Sequence, residues 1–136
     1  MTRLLVNIDV EDLQEGIRFY TRAFDLRVGR RFGTDGVELL GAEAPLYLLV
    51  KGDGTRPFEG APLPRDYRRH WTPVHLDFVV EDLEAAIRRA ESAGARREGE
   101  VREFAWGRIA LLSDPFGHGF CLLAFKGRGY DELANG

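Results

Sequence analysis

The sequence predicts an α+β fold in which one βα-led module is used twice. Two observations carry that expectation. Residues 74–87 read V-H-L-D-F-V-V-E-D-L-E-A-A-I, an alternating strand that runs straight into a helix. Seventy positions earlier the chain repeats the pattern. Val10-Glu11-Asp12-Leu13 matches Val80-Glu81-Asp82-Leu83 letter for letter, Ile17-Arg18 matches Ile87-Arg88, and Ala23 matches Ala93.

Taken in order, residues 3–10 form the first strand, with Val6, Ile8 and Val10 on one face and Leu5, Asn7 and Asp9 on the other. A helix near 12–24 follows, because Leu13, Ile17, Tyr20 and Phe24 recur at helical spacing and Asp12 with Glu15 has capping-box character. Strand-like pieces come next near 27–33, 36–41 and 46–51, with Gly33-Thr34-Asp35-Gly36 and Gly41 as turn material. Residues 52–73 have no periodicity and carry Gly52, Gly54, Pro57, Gly60, Pro62, Pro64 and Pro73. They read as a connection, lid or tether. The cluster Arg65, Arg68, Arg69 and His70 within it reads as a solvated charge run, with anion binding as the sharper alternative.

The second module repeats the plan. A strand places Leu76, Phe78 and Val80 opposite His75, Asp77 and Val79, and a helix over 82–93 ends at Gly94. Strands are expected near 96–103, 106–113 and 119–125. Asp114-Pro115-Phe116-Gly117 turns the last hairpin. The tail from Lys126 shows no clear element. The organisation is therefore one domain over 1–136, made of modules 1–51 and 74–126 joined by 52–73.

Composition excludes several roles. A net charge of −3 gives no basic face for nucleic acid. No apolar run reaches the length of a membrane span. The strand is expected to begin almost at Met1, so no signal peptide is expected. With Cys121 as the one cysteine, no internal disulfide can form, and a cytoplasmic location is expected.

Two βαβββ modules of this length resemble the vicinal oxygen chelate superfamily, whose members include glyoxalase I, extradiol dioxygenases, and fosfomycin- and bleomycin-resistance proteins. The V-x-D-L of each module, Phe19-Tyr20 in the first helix and Asp114-Pro115-x-Gly117 before the last strand carry the match. The resemblance implies a curled eight-stranded mixed sheet around a central cup, and a homodimer. Metal-dependent relatives place a His five residues before the Val of V-x-D-L and a Glu four residues after the Gly of D-P-x-G. Here those positions hold Leu5 and His75, then Cys121, while Leu46–Val50 offers no carboxylate. One usual ligand, His75, is retained.

That ligand count favours a metal-independent protein holding a small organic molecule, with no cofactor. The alternative is a metal-dependent lyase, isomerase or dioxygenase with an atypical ligand set. The expected site is His75 as base or hydrogen-bond partner, with Leu5, Asn7, Asp9, Asp77, Trp106, Arg108, Cys121 and Leu123 around the ligand. Trp106 and Arg108 are expected to share a strand face, where they would stack on and pair with a planar or anionic molecule. A nucleophilic Cys121 would require a base beside it.

Overall fold

The computed structural model describes residues 1–135. Two compact units divide between Arg68 and Arg69. The boundary falls inside the expected connection, so its first part folds with the first unit and its last residues with the second.

In the first unit, β1 (Val6–Val10) leads to α1 (Leu13–Phe24), then β2 (Arg27–Phe32), β3 (Gly36–Leu40) and β4 (Leu46–Val50). The sheet runs β1-β4-β3-β2, with β1 and β4 parallel and the other pairs antiparallel. The Asp12 carboxylate caps α1 by accepting from the Glu15 N–H at 2.9 Å. The helix ends at Asp25 in the left-handed conformation, φ 53°, which a short polar side chain tolerates. Ile8, Val10, Leu46 and Leu48 are buried on the sheet with Phe19, Tyr20 and Ala23 of the helix. The ring of Phe19 meets Tyr20 edge to face at 4.9 Å. Burying a side chain of that size stabilises by roughly 1.5–3 kcal/mol. A Cβ on Gly16 would lie 3.1 Å from Leu48, so α1 sits close on the sheet.

The stretch after β4 folds back within this unit. Arg65 pairs with Asp9 at 2.8 Å, and the Tyr67 hydroxyl donates to the Lys51 carbonyl at 2.7 Å.

In the second unit, β5 (Leu76–Val79) and α2 (Leu83–Ala93) precede β6 (Arg96–Arg97), β7 (Arg102–Phe104), β8 (Gly107–Ser113) and β9 (Gly119–Phe125). The order is β5-β9-β8-β6, with β7 also on β8 and with β5 and β9 parallel. The Asp82 carboxylate caps α2 through the Ala85 N–H at 3.1 Å. Leu83, Ile87 and Ala90 are buried, as are Ala110, Leu112, Phe120 and Leu122. Asp114, 4% exposed, holds the hairpin by accepting from the Phe116 and His118 N–H groups.

Both βα units and both helices stand where the repeat puts them. Three details differ. The expected strand over 96–103 breaks into β6 and β7, giving nine strands in two sheets of four and five among the described residues, not one eight-stranded sheet. Neither sheet closes into a barrel. The tail forms a short 3-10 helix, Gly129–Glu132, whose Tyr130 packs on Phe125 at 4.8 Å between ring centroids.

Candidate functional site

The second unit brings His75, Asp77 and Cys121 together. Parallel pairing sets Asp77 beside Cys121, and strand alternation puts both on the face of the sheet away from α2. His75, two residues before Asp77, follows the same phase. Its Nε2 lies 3.2 Å from the Asp77 carboxylate. One ligand-capable atom from each of the three residues falls within 4.8 Å of the others. The histidine and aspartate side chains are 30% and 37% exposed, whereas Cys121 is buried. Trp71 packs on the His75 ring at 5.0 Å.

The electrostatics answer the nucleophile question. Burial pushes the Cys121 thiol up to about 11, and the neighbouring Asp77 carboxylate adds to the shift by its charge and by accepting from the thiol. The thiol therefore stays protonated in neutral water, unlike a catalytic thiolate.

Further along β9 the same face turns aromatic. Leu123 pairs with Ile109, and Phe125 with Gly107. Leu123 is 1% exposed and backs this face without lining it. Phe125 is in contact with Trp106, Trp106 stacks on Phe104 at 5.4 Å and 5°, and Tyr130 touches Trp106 and Phe125. Arg102 lies over the Phe104 ring at 5.6 Å. Gly107 permits the pairing, since a Cβ there would stand 2.2 Å from the Ala124 carbonyl oxygen.

Arg108 is not part of this group. It pairs with Ala124 in register and with Glu84 of α2 at 2.5 Å, which places it on the helix side of β8. Trp106 lies in the turn before β8, so the expected shared strand face of Trp106 and Arg108 does not exist. The arginine cluster also resolves differently from an anion site. Arg65 is held by Asp9, Arg68 by Asp66 and Arg69 by Glu98.

In the first unit Leu5 precedes β1 and is 48% exposed. Asn7 pairs with Tyr47 in register, on the face away from α1, and Asp9 is occupied by Arg65. The sequence reading missed Glu38 on this face. Glu38 is 7% exposed and accepts from the Arg30 guanidinium at 2.7 and 3.2 Å, the Arg30 N–H at 3.1 Å and the Tyr47 hydroxyl at 2.7 Å. These donors hold its carboxyl down at about 2. A lone carboxylate within G-V-E-L-L was the available signal.

The donors do not fit the metal that the family resemblance implies. A magnesium-, manganese- or iron-type ion wants several oxygen and imidazole ligands. The second unit offers one imidazole, one carboxylate and one thiol, and Leu5 stands where the first module would supply its His.

A glyoxalase-like domain model matches residues 5–123. The Mb0911c protein of Mycobacterium bovis is 32% identical over 117 residues, covering 83% of this chain and 76% of that protein. The anthracycline biosynthesis protein DnrV of Streptomyces peucetius is 38% identical over 69 residues, 51% of this chain and 24% of its own. Among solved structures, the fosfomycin resistance protein FosX of Listeria monocytogenes superposes with a TM-score of 0.70 at 16% identity, covering 93% of this chain and 94% of its own.

Proposed function

The chain belongs to the glyoxalase-like domain family, within the vicinal oxygen chelate superfamily, and from that premise we propose that it holds a small aromatic or amphipathic molecule without using a metal. The observation that carries this reading is the make-up of one sheet face. His75 and Asp77, both partly open, lie at one end, and the ring group Phe104, Trp106, Phe125 and Tyr130 lies at the other. Phe125 is four residues beyond Cys121 on β9, which is about 13 Å of extended strand. An apolar surface with a few converging polar groups is the usual composition of a small-molecule site. The protonated state of Cys121 argues against a thiolate enzyme. One relative is named for anthracycline biosynthesis, so a planar aromatic of that class is the first probe.

The test is a thermal-shift screen of the whole chain in the presence of a chelator. A ligand at a hundredfold excess over its Kd stabilises by about 2.7 kcal/mol. A ligand that stabilises only after a divalent ion is added would move the reading to a metal-dependent lyase, isomerase or dioxygenase. A cytoplasmic homodimer is part of the same proposal, from the family resemblance and the prevalence of closed twofold symmetry. Light scattering that gives a monomer at micromolar concentration counts against the dimer.

A further inference from the structure

We propose that Arg102 is the cation of the ligand-binding face, and that the molecule held there is a planar aromatic bearing an anionic group such as a carboxylate, phenolate or sulfonate. The inference rests on the aromatic-face reading above and narrows its ligand class. Arg108, the arginine expected in this role, faces α2 and is neutralised by Glu84. Register puts Arg102 on the other side of the sheet. Arg102 pairs with Ile109, and Ile109 with Leu123, so the three stand in one row across β7, β8 and β9 on the face away from α2. The next row holds Phe104, Gly107 and Phe125. Rows two residues apart on one face are separated by about 7 Å, so the guanidinium flanks the ring group. Its charge also reaches the Cys121 thiol, where it opposes the upward push of burial.

Arg102 also lacks the counter-charge that its neighbours have. Glu103 holds Lys126 at 3.0 Å, and Arg108 holds Glu84. Asp77, which shares the face with Arg102, is engaged by His75 at 3.2 Å. Among the described residues the Arg102 side chain makes no ion pair or hydrogen bond, and its guanidinium carbon lies 5.6 Å from the centre of the Phe104 ring. A guanidinium carries its five N–H donors in one plane. Resting on a ring, it keeps its apolar face covered while the donors stay open at the edge, where two parallel bonds can take an anion. The rings supply the other half of the recognition. Phe125 and Tyr130 are 43% and 51% exposed, so an aromatic molecule can lie on them with its anionic group toward Arg102.

The bland alternative is a solvated arginine resting on a ring. Two fluorescent dyes of nearly the same shape separate the two: 8-anilinonaphthalene-1-sulfonate, which is anionic, and N-phenyl-1-naphthylamine, its neutral counterpart. Both are titrated against the full-length protein in the presence of a chelator. Arg102→Gln should weaken the sulfonate roughly tenfold, the worth of a charge-assisted contact, and leave the neutral dye at the parental value. The melting midpoint should be kept, since the Arg102 side chain holds no ion pair. In the parent, added salt should weaken the sulfonate and spare the neutral dye. Arg108→Gln should change neither dye, because its guanidinium faces Glu84. Trp106→Ala should weaken both through lost stacking area. Equal loss of both dyes in Arg102→Gln, or loss of neither, overturns the inference. The aromatic-face reading then stands as long as Trp106→Ala still weakens both. A parent that binds neither dye overturns the inference and that reading together.

Discussion

Asp12 and Asp82, seventy positions apart, make the same contact: each carboxylate accepts the N–H three residues on, at 2.9 and 3.1 Å, from an extended backbone. The repeat seen in the letters V-E-D-L is thus a repeat of mechanism. Each copy ends a strand, satisfies an orphan amide of the helix and sets a Leu at its first position. Asp12→Ala and Asp82→Ala should each cost about 1 kcal/mol, the usual worth of such a cap. Urea unfolding of the two variants checks this. A loss in one and none in the other would show that the two copies are not equivalent.

The Glu38 network predicts an acid-side loss of stability. Its carboxyl is held at about 2, below the ordinary value of 4.5, first by the Arg30 side chain and then by Tyr47. A carboxyl depressed on folding stabilises above its unfolded value and loses that contribution as pH falls through the folded value. The window is therefore pH 4.5 down to about 2. Melting midpoints of the parent and of Glu38→Gln, followed across that window, should converge as the pH drops. Parallel curves would mean that Glu38 does not titrate as its partners imply.

Gly107 predicts a local packing limit. Its Cβ would meet the Ala124 carbonyl oxygen at 2.2 Å, and a backbone atom in a paired strand cannot swing aside as a side chain can. Gly107→Ala should cost roughly 1–3 kcal/mol, the range for forced overpacking. It should also loosen the Phe104–Trp106–Phe125 ring group, visible as altered tryptophan emission. A neutral variant would show that β8 and β9 can separate there at little cost.

The helices and most strands were legible because alternation and helical spacing are local signals, and the duplicated V-E-D-L fixed where each strand gave way to its helix. Three features were not. In residues 96–103 the one signal was Gly99, which the reading ran through as strand and which takes φ 90° inside the Glu98–Val101 interruption. Glu38 gave a signal, a carboxylate among apolar residues, but its partners Arg30 and Tyr47 come from neighbouring strands. Arg108 was misplaced because G-R-I-A-L-L-S is apolar in both phases after Arg108, so alternation within the strand could not say which phase faced α2. Only the register Ile109–Leu123 and Leu111–Cys121 decides it. His75, Asp77 and Cys121 were readable as a group for the opposite reason, since Asp77 and Cys121 lie on paired strands in matching phase.

That difference between Arg108 and His75 yields the prediction that tests the ligand face. His75 and Asp77 are on the face away from α2, and Trp106 joins the rings at its far end. A hydrogen bond from His75 to a bound molecule, lost so that a group is left unpaired, is worth about 1–3 kcal/mol. His75→Ala should then weaken the best ligand from the chelator screen by about tenfold or more. Trp106→Ala should do likewise through lost stacking area. Arg108→Ala is the internal control. Its guanidinium faces Glu84 on α2, so its removal should leave ligand affinity at the parental value and the melting midpoint close to it. Isothermal titration of the three variants against one ligand decides the matter. Loss of affinity confined to Arg108→Ala would move the site to the helix side of β8 and sink the assignment of this face.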